Sequence, residues 1–396
     1  MKDNGRLNIA ILGHKRIPGR EGGIEVVVEE LASRMAASGC DVTCYNRGGN
    51  HVSGIKFDTA GISEYKGVHL RSVPTINRRG LAAMTASISG AFKAAFGRFD
   101  IVHFHAEGPS FMCWLPKLTG KKIIVTIHGL DHQRAKWGKL ASTYIMLGEK
   151  SAVLFADEII VLSRSAQQYF KENYKRDTIL IPNGVNRPQI READLIRERL
   201  GLEKDSYILY LGRIVPEKGI QYLIQAFKEV RTDKKLVIAG ASSDSDAFLE
   251  CLKKLAADDN RILFTGFVHG RMLEELYSNS YIYCLPSDLE GMPLSLLEAM
   301  SYGNCCVVSD IPECADVVGD KAVIFPKGNT GELAAVLREL CSAPELVQSY
   351  RTNSADYICG KYDWDKVTKC TLDLYQGRLS YADPVYQQIS LPQRWQ

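Results

Sequence analysis

Two glutamates, Glu290 and Glu298, interrupt an otherwise apolar stretch, DLEGMPLSLLEAMSYG, that spans residues 288–303. A carboxylate near a core needs a partner, because removing water from an unpaired charge is very costly. The partner can be a backbone group, a basic side chain or a ligand rich in hydroxyl groups. Carboxylates are strong hydrogen-bond acceptors and pair well with vicinal diols. A hydroxyl-rich ligand is therefore one chemistry that this pair could serve.

The residues between the two glutamates predict an anion site. Proline favours the first turn of a helix, so a helix is expected to begin near Pro293. The N–H groups of Leu294 and Ser295 would then lack intrahelical partners and could bind a phosphate. Glu290 precedes this helix and Glu298 lies nearly two turns into it, roughly 10 Å away along the axis. That separation is comparable to the reach of a sugar joined through a diphosphate to a ribose.

A second loop, LGRIVPEKG at residues 211–219, carries two cations. Arg213 leaves a predicted strand and Lys218 follows five residues later, with Pro216 suited to begin the next helix. Arginine can bind oxygen atoms in a fork and lysine supplies a compact charge, so together they would suit a diphosphate. A surface salt bridge, for example to Glu217, is the alternative.

A third loop, GHKRIPGREGGIE at residues 13–25, follows the first predicted strand. Gly22 and Gly23 stand directly before a predicted helix. Paired glycines let the backbone approach a ligand closely, and a helix N-terminus offers N–H groups to an anion. The loop lacks the G-x-G-x-x-G pattern of dinucleotide-binding sites. A flexible turn is the alternative interpretation.

Short apolar runs that alternate with helical patterns surround these loops. Near-continuous apolar strands are typical of a parallel sheet that is covered on both faces. The alternation restarts in the second half, and so predicts the fold class α/β, with two Rossmann-like doubly wound domains facing across a cleft. The predicted strands are 7–13, 40–46, 100–106, 121–129, 157–163, 206–212, 234–240, 260–266, 281–287, 305–310 and 321–325.

The domain boundary is predicted within IPNGVN, residues 181–186, where Pro182 and Gly184 break the periodic pattern. The predicted domains are residues 1–183 and 184–376, with the segment 377–396 packing back on the first. An amphipathic helix, READLIRERLG, is expected to begin at Arg191. All three loops follow predicted strands, at the edge where doubly wound folds bind ligands.

Length and composition predict two globular domains, because 396 residues exceed one ordinary core. No secretory signal is visible at the N-terminus, and the longest weakly apolar segment, residues 80–96, is too short to span a bilayer. We therefore expect a protein of the cytosolic side. The eleven cysteines form no C-x-x-C pair, which predicts reduced, mostly buried thiols rather than disulfides or a zinc site.

The charge is distributed unevenly. Residues 1–183 carry 25 Lys and Arg against 16 Asp and Glu, a net charge of +9, so the remainder of the +3 chain has a net charge of −6. A basic half suits an anionic membrane or a phosphate-bearing acceptor, and ordinary solvated surface is an equal alternative. Arg78, Arg79 and Lys93 flank or interrupt an apolar segment that could lie on a membrane surface. A helix that covers the first sheet is the favoured interpretation of that segment.

The motif EGMPLSLLE and the loop GRIVPEKG together resemble the C-terminal domain of family 4 glycosyltransferases, a large retaining group with the two-domain GT-B fold. The segments PGREGGIEVVVEELA and TIHGLDHQRAKWGKL resemble a bacterial subgroup that assembles capsule, O-antigen and related polysaccharides and includes rhamnosyltransferases. The resemblance covers nearly the whole chain. It implies that residues 1–183 form the acceptor-side domain and residues 184–376 the nucleotide-sugar-binding domain.

The same resemblance implies a role for each matching residue. Glu298 would bind the ribose of the nucleotide, and Glu290 would contact hydroxyl groups of the transferred sugar. Arg213 and Lys218 would neutralise the departing diphosphate. Further donor contacts would come from the phosphate and sugar pocket, the turn that holds the base, and the glycines of the first domain: Gly291, Met292, Pro293, Leu294, Phe267, Val268, Gly22 and Gly23.

Histidines of the first half are further candidates. His128 ends a predicted strand in TIHGLDHQ, where family members place a histidine near the donor sugar; a structural hydrogen bond is the alternative. With Asp131 and His132 it could suggest a metal site, but the GT-B fold generally works without bound metal, its basic residues replacing the cation. His103 and His105 alternate along a strand and so share one face. Structural packing is favoured over acceptor binding for them.

The predicted reaction is transfer of a glycosyl group from a UDP- or dTDP-linked sugar to an acceptor hydroxyl, with retention and without a metal or other cofactor. Rhamnose is the favoured sugar, with glucose, galactose and an N-acetylhexosamine open. The expected acceptor is a lipid-linked glycan at the inner face of the cell membrane, with peripheral contact to anionic lipid and no nucleic-acid partner. A nucleotide-sugar epimerase or hydrolase and a non-catalytic nucleotide-sugar-binding protein are the alternatives. An NAD dehydrogenase is disfavoured, because neither domain opens with the glycine fingerprint.

Overall fold

The computed structural model describes residues 6–19, 22–48, 61–76, 81–130, 139–242, 246–380 and 382–390. In these ranges the strands are β1 (Asn8–Leu12), β2 (Asp41–Arg47), β3 (Glu64–Tyr65), β4 (Val68–Val73), β5 (Ile101–His105), β6 (Lys122–Ile127), β7 (Glu158–Val161), β8 (Ile179–Leu180), β9 (Tyr207–Leu211), β10 (Lys235–Ala239), β11 (Ile262–Gly266), β12 (Ile282–Leu285), β13 (Cys306–Ser309) and β14 (Val323–Phe325).

The helices are α1 (Gly23–Ala37), α2 (Leu81–Phe96), α3 (Glu107–Ser110), α4 (Trp114–Leu118), α5 (Lys139–Phe155), α6 (Arg164–Tyr174), α7 (Leu195–Leu200), α8 (Ile220–Lys228), α9 (Asp246–Ala256), α10 (Gly270–Asn279), α11 (Leu294–Ser301), α12 (Pro312–Val318), α13 (Thr330–Ser342), α14 (Pro344–Arg351), α15 (Ser354–Lys361), α16 (Trp364–Tyr375) and α17 (Pro384–Ser390). A 3-10 helix, Pro216–Lys218, precedes α8.

The chain folds as two compact units. The first comprises the described residues of Met1–Asn183 together with Trp364–Ser390, and the second is Gly184–Asp363. The return to the first unit begins at Trp364, earlier in the chain than the predicted segment 377–396. Within the first unit, α16 lies against α1 and α17 lies against α16.

The sheet of the first unit has the order β3-β4-β2-β1-β5-β6-β7-β8. Its neighbouring strands run parallel except for β3 and β4, which are antiparallel. The chain builds outward from β1 in one direction, then returns to place β5 on the other side of β1. Such a reversal leaves a crevice at the carboxyl ends of the two strands, where doubly wound folds bind ligands.

The sheet of the second unit has the order β11-β10-β9-β12-β13-β14, and all of its neighbouring strands are parallel. Its reversal lies between β9 and β12. Side chains along β9, β10, β12 and β13 are almost entirely buried, because helices cover both faces of a parallel sheet. Every predicted strand overlaps an observed one, and the prediction of two Rossmann-like doubly wound units is confirmed.

Two local features differ from the sequence-based expectations. The strands β3, β4 and β8 were not predicted, and β4 shows why: its residues alternate between buried and exposed, so they form no continuous apolar run. The helix expected from Arg191 begins later, at Leu195. Arg191 instead forms an ion pair with Glu274 of α10, with 2.8 Å between Nε and Oε2.

All eleven thiols are free in the structure, and eight of them are buried, as the prediction of mostly buried thiols expects; Cys251 is exposed, and Cys341 and Cys359 are partly buried. In the described parts of the chain, no helix has the length and apolar character needed to cross a membrane.

Candidate functional site

The reversal point of the second sheet brings together two of the three loops that the sequence singled out. β9 and β12 are hydrogen-bonded neighbours. The loop after β9 carries Arg213 and Lys218, and the loop after β12 carries Glu290. The cationic loop and the first glutamate therefore leave the sheet at the same edge, side by side.

Gly219 allows these two loops to touch. It connects the 3-10 helix to α8 with a φ of +65°, a left-handed conformation that glycine adopts without strain. A Cβ atom at this position would lie 2.0 Å from the carbonyl oxygen of Pro286, at the end of β12. No side chain fits there, so the glycine of the EKG triplet is required for Lys218 to approach the loop after β12.

Lys218 and Glu290 form a buried ion pair. Lys218 Nζ lies 2.5 Å from Glu290 Oε1, and the two side chains are only 11% and 8% exposed. The Ser287 hydroxyl donates a second hydrogen bond to the same carboxylate oxygen, at 2.7 Å. Glu290 therefore has the basic partner that a buried carboxylate needs. The surface salt bridge to Glu217 considered from the sequence is not formed by Lys218.

Arg213 lies on the same loop as Lys218, after β9. Its guanidinium-bearing side chain is half-buried, and its carbonyl oxygen accepts a hydrogen bond from the Tyr210 hydroxyl at 2.8 Å. Burial, reinforced by the negative charge of Glu290, raises the pKa of Tyr210 well above its ordinary value. Tyr210 thus remains a hydrogen-bond donor and fixes the backbone from which Arg213 extends.

The predicted helix after Glu290 is α11, and its first residue is Leu294 rather than Pro293. Pro293 is the N-cap, in an extended conformation with a ψ of 105°. Its carbonyl oxygen accepts hydrogen bonds from the N–H groups of Leu296 and Leu297 at 3.1 and 3.3 Å. Leu294 and Ser295 come before these residues in the chain, so their N–H groups lie ahead of the first hydrogen bonds of the helix. Gly291 and Met292, which lead into the helix, are buried.

Glu298 occupies the second turn of α11 and is half-buried. The Tyr277 hydroxyl donates to its Oε2 atom at 3.2 Å, and the Tyr277 ring stacks on Tyr302 with 5.2 Å between centroids. Because Glu290 lies in the loop, the helical rise applies only from Leu294 to Glu298 and contributes about 6 Å. The loop sets the remaining distance between the two glutamates.

Phe267 and Val268 follow β11, at the carboxyl edge of the same sheet. Both are half-buried, and the Phe267 ring stacks on His269 with 6.0 Å between centroids. β11 is the outermost strand on one side, two strands from β9. The structure therefore places these residues along the edge that carries Lys218, but not next to it.

The remaining site residues belong to the first unit. Both glycines were expected directly before a helix; Gly22 is the N-cap of α1, and Gly23 is its first residue. A Cβ atom on Gly22 would lie 2.7 Å from Glu25 Oε2. Glu25 is buried and accepts the backbone N–H of Lys15 at 2.8 Å, which ties the loop after β1 to the start of α1.

His128 follows β6 and is hydrogen-bonded to a second histidine. Its Nε2 atom lies 2.8 Å from Nδ1 of His105, the last residue of β5, and the two rings stack with 5.1 Å between centroids. His103 and His105 share one face of β5, as expected, with ring centroids 4.2 Å apart. His103 contacts the Tyr375 hydroxyl through Nδ1 and Thr126 Oγ1 through Nε2.

Burial keeps His103 and His105 neutral. It lowers the pKa of His103 to about 3, and it holds the pKa of His105 well below the ordinary value, with His103, His128 and His14 adding to the effect. Asp131, His132, Arg78 and Arg79, which the sequence also singled out, lie outside the described residues. Across the part of the chain that the structure describes, no group of three or more His, Cys, Asp or Glu could hold a metal ion.

The contacts that hold the site residues in place were not predicted from the sequence, although His105 itself was singled out. Ser287 bonds Glu290, Tyr277 bonds Glu298, and His105 bonds His128. Ser287 had a weak signal, because it ends a predicted strand beside the glutamate loop. Tyr277 lies on a helix remote in sequence from Glu298, so no local pattern connects the two.

Family models match both halves of the chain. The model described as Glycosyltransferase Family 4 matches residues 21–188, and the model described as Glycosyl transferases group 1 matches residues 192–357. The chain therefore belongs to the glycosyltransferases, with an N-terminal half of the Family 4 type and a C-terminal half of group 1.

Full-length relatives agree with this assignment. An uncharacterized glycosyltransferase of Methanocaldococcus jannaschii, MJ1607, is 25% identical over 93% of this chain and 98% of its own length. D-inositol 3-phosphate glycosyltransferase of Streptomyces bingchenggensis is 26% identical over 91% of this chain and 86% of its own. The crystal structure of Anabaena HepE in complex with UDP-glucose matches with a TM-score of 0.77 at 15% identity, over 94% of this chain and all of that one. That structural match supports the two-domain GT-B fold.

Proposed function

We propose that this chain is a retaining, metal-independent glycosyltransferase that moves a sugar from a nucleoside diphosphate sugar to an acceptor hydroxyl. The observation that carries the proposal is the buried Lys218–Glu290 pair at the reversal point of the second sheet, next to the N-terminus of α11. A cation, a sugar-binding carboxylate and backbone N–H groups then stand on adjoining loops.

Lys218 would bind the diphosphate without leaving Glu290. An ammonium group has three N–H donors and can bond several acceptors at once. One N–H holds Glu290 Oε1, and the others would bond phosphate oxygens. Arg213, on the same loop, would add a forked contact, and the Leu294 and Ser295 N–H groups would add dipolar ones. Positive charge from the chain itself would replace a metal ion.

Glu290 and Glu298 would bind hydroxyl groups rather than act as acid and nucleophile. Lys218 and Ser287 both bond Oε1 of Glu290, so a sugar hydroxyl would bond Oε2. Glu298, held by Tyr277, would accept the ribose hydroxyl groups. The roles that two carboxylates play in glycoside hydrolysis, as acid and as nucleophile, are therefore not proposed for Glu290 and Glu298.

The proposed chemical step is a front-face displacement. The bond between the anomeric carbon and the phosphate oxygen breaks, and the acceptor oxygen bonds the same carbon from the same side. The departing phosphate oxygen takes the acceptor proton, so the configuration is retained. Charge grows on the diphosphate during this step, and preorganised donors aimed at growing charge supply much of the rate enhancement.

A donor linked to UDP or dTDP is proposed, with rhamnose favoured and glucose, galactose or an N-acetylhexosamine as further candidates. HepE, whose fold this chain shares, was crystallised with UDP-glucose, which supports a UDP-linked donor. The acceptor is proposed to be a lipid-linked glycan of a bacterial surface polysaccharide, on the basis of the N-terminal sequence resemblance.

A surface of the first unit supports peripheral contact with an anionic membrane at the inner face. Phe92 and Phe96, one turn apart on α2, are 50% and 75% exposed, and Leu118 of the adjoining α4 is 74% exposed. Lys93 and Arg98 are exposed close to them in the chain. Exposed apolar residues next to basic ones favour an anionic lipid surface. The double variant F92S/F96S should lose sedimentation with anionic liposomes, and unchanged sedimentation would remove this contact from the proposal.

Turnover of nucleotide sugars tests the reaction itself. UDP- and dTDP-linked sugars are incubated with and without a lipid-linked glycan acceptor, and nucleoside diphosphate release and the anomeric configuration of the product are measured. Acceptor-dependent release with retention supports the proposal. Release of free sugar or an epimer without acceptor would support a hydrolase or epimerase, and binding without turnover would indicate a non-catalytic protein.

A further inference from the structure

Glu217 is a buried carboxylate that the proposed mechanism does not use. It lies in the 3-10 helix directly before Lys218 and is only 8% exposed. Both of its carboxylate oxygens are buried, and neither has a hydrogen-bond partner among the described residues. The nearest cation in the chain, Lys218, pairs with Glu290 instead. Glu217 therefore places a buried acidic group without a donor on the loop that is assigned to the diphosphate.

A second buried glutamate of the same unit shows what Glu217 lacks. Glu275 of α10 accepts hydrogen bonds from the backbone N–H groups of Asp194 and Ile196 at 3.0 and 3.1 Å. It also accepts one from Arg271 Nε at 2.8 Å. Burying a carboxylate without such hydrogen-bond donors is unfavourable. Glu217 therefore lowers the stability of the second unit, and destabilising groups at ligand sites are often there for function.

Glu217 lies where the two site loops of the second unit meet. Its carbonyl oxygen accepts a hydrogen bond from the Asp288 N–H at 2.9 Å, two residues before Glu290. Its carboxylate also acts on the Tyr210 hydroxyl: burial raises the pKa of Tyr210 most, the negative charges of Glu290 and Glu217 add to the rise, and Arg213 opposes it. The Glu217 carboxylate is therefore within electrostatic reach of the groups that surround Tyr210.

The charges on these two loops balance. Arg213 and Lys218 contribute two positive charges, and Glu290 and Glu217 contribute two negative ones. Without the charge of Glu217, the same four positions would have a net charge of +1. A diphosphate would then bind more tightly, because a unit charge about 10 Å from another changes an affinity roughly tenfold at an effective dielectric constant of 20.

We propose that the negative charge of Glu217 weakens the binding of the diphosphate product and so promotes its release. The inference rests on the proposed function, in which Arg213 and Lys218 bind the diphosphate. When the bond to the anomeric carbon breaks, the departing phosphate oxygen takes the acceptor proton. A terminal phosphate loses its second proton with a pKa of about 6, so the product then carries one more negative charge than the donor. Glu217 repels the product more strongly than the donor for that reason.

Two substitutions of Glu217 separate its charge from its shape. Glu217→Gln keeps the shape without the charge, whereas Glu217→Asp keeps the charge. The affinity of the full-length chain for UDP and dTDP is measured by titration calorimetry, and the donor KM by steady-state kinetics. Glu217→Gln should bind the nucleoside diphosphate about tenfold more tightly, with a smaller fall in donor KM, and Glu217→Asp should bind it as the wild-type chain does. Unchanged affinity in Glu217→Gln, or equal tightening in both variants, would overturn the proposal.

Glu275→Gln is the matched control, because it removes the charge of a buried glutamate that has hydrogen-bond donors. Glu217→Gln should raise the melting temperature of the second unit, since it removes a buried charge that has none. Glu275→Gln should lower the melting temperature, because charged hydrogen bonds are lost, and it should leave the affinity for nucleoside diphosphates unchanged. A lower melting temperature in Glu217→Gln would contradict the unpaired charge on which the proposal rests, and tighter binding in Glu275→Gln would show that the effect is not specific to Glu217.

Failure of this inference differs from failure of the proposed function. If neither the wild-type chain nor any variant binds UDP or dTDP, the proposed function fails and the inference fails with it. If the wild-type chain binds one of them and Glu217→Gln binds it with the same affinity, only the role of Glu217 fails.

Discussion

Breaking the Lys218–Glu290 pair from one side should damage the second unit as well as its chemistry. At 2.5 Å between Nζ and Oε1, the Coulomb attraction is about 7 kcal/mol for an effective dielectric constant of 20. The desolvation of two nearly buried ions offsets most of it, so the intact pair adds little net stability. Lys218→Met removes the attraction but leaves the Glu290 charge buried, which costs about 3–5 kcal/mol.

That loss of unfolding free energy converts into a measurable fall in the melting temperature, Tm. For a unit the size of Gly184–Asp363, 1 kcal/mol corresponds to about 2–4 °C in Tm. Lys218→Met should therefore lower the calorimetric transition of the second unit by roughly 6–20 °C. The double variant K218M/E290Q removes both charges and keeps an oxygen for the Ser287 hydroxyl. It should recover most of the lost Tm, because replacing a buried pair by neutral groups of similar volume is often close to neutral.

Activity should not follow stability in this series. Glycosyl transfer should be lost in both Lys218→Met and K218M/E290Q, because neither retains the cation that binds the diphosphate. Calorimetry and nucleoside diphosphate release on the same samples are the assays. A wild-type Tm for Lys218→Met, no recovery in the double variant, or normal turnover in either would refute the reasoning.

Three further perturbations have defined outcomes. Glu298→Ala should raise the donor KM about 10- to 100-fold with kcat little changed, because charged hydrogen bonds to the ribose are lost; steady-state kinetics that show a fall in kcat alone would contradict this. Gly219→Ala should abolish turnover and lower the Tm of the second unit, since its Cβ would lie 2.0 Å from Pro286 O at a φ of +65°; wild-type calorimetry and activity would refute that packing. Acidification from pH 7 to pH 5 should destabilise the first unit, because burial lowers the pKa of His14 to about 4 and of His103 to about 3. Below pH 6.5 the unfolded chain binds protons that the folded one does not, which lowers the free energy of unfolding by about 2 kcal/mol per histidine at pH 5. His103→Gln should therefore flatten the dependence of Tm on pH. A Tm that rises on acidification would contradict this prediction.

The sequence was sufficient to predict the fold, because parallel strands that are covered on both faces consist of continuous runs of apolar residues. It was also sufficient to place the loops of Lys218 and Glu290 at one edge, since both follow such strands. It could not predict that these residues pair with each other, because they are 72 residues apart in the chain and no local pattern connects them. The pairing depends on Gly219 bringing two backbones into contact, and that is a property of the folded chain.

Other features depend on contacts between distant segments. Tyr277 and His105 hold Glu298 and His128 from neighbouring elements, and neither contact has a local sequence pattern. The alternating pattern of β4 and the late start of α7 show the same limit at the level of secondary structure. In the second case, contacts of Arg191 and Asp194 with α10 replace the helical turn expected from propensity.

The central claim is that the second unit binds a nucleotide sugar through the Lys218–Glu290 site, and thermal stabilisation tests it most directly. A ligand at 100 times its Kd stabilises the folded protein by about 2.7 kcal/mol, or roughly 5–11 °C for a unit of this size. UDP- and dTDP-linked sugars are screened by calorimetry against the wild-type chain and K218M/E290Q. The account predicts that at least one donor raises the Tm of the wild-type second unit, whereas the double variant shows no shift. Equal shifts in both proteins, or no shift with any donor, would contradict it.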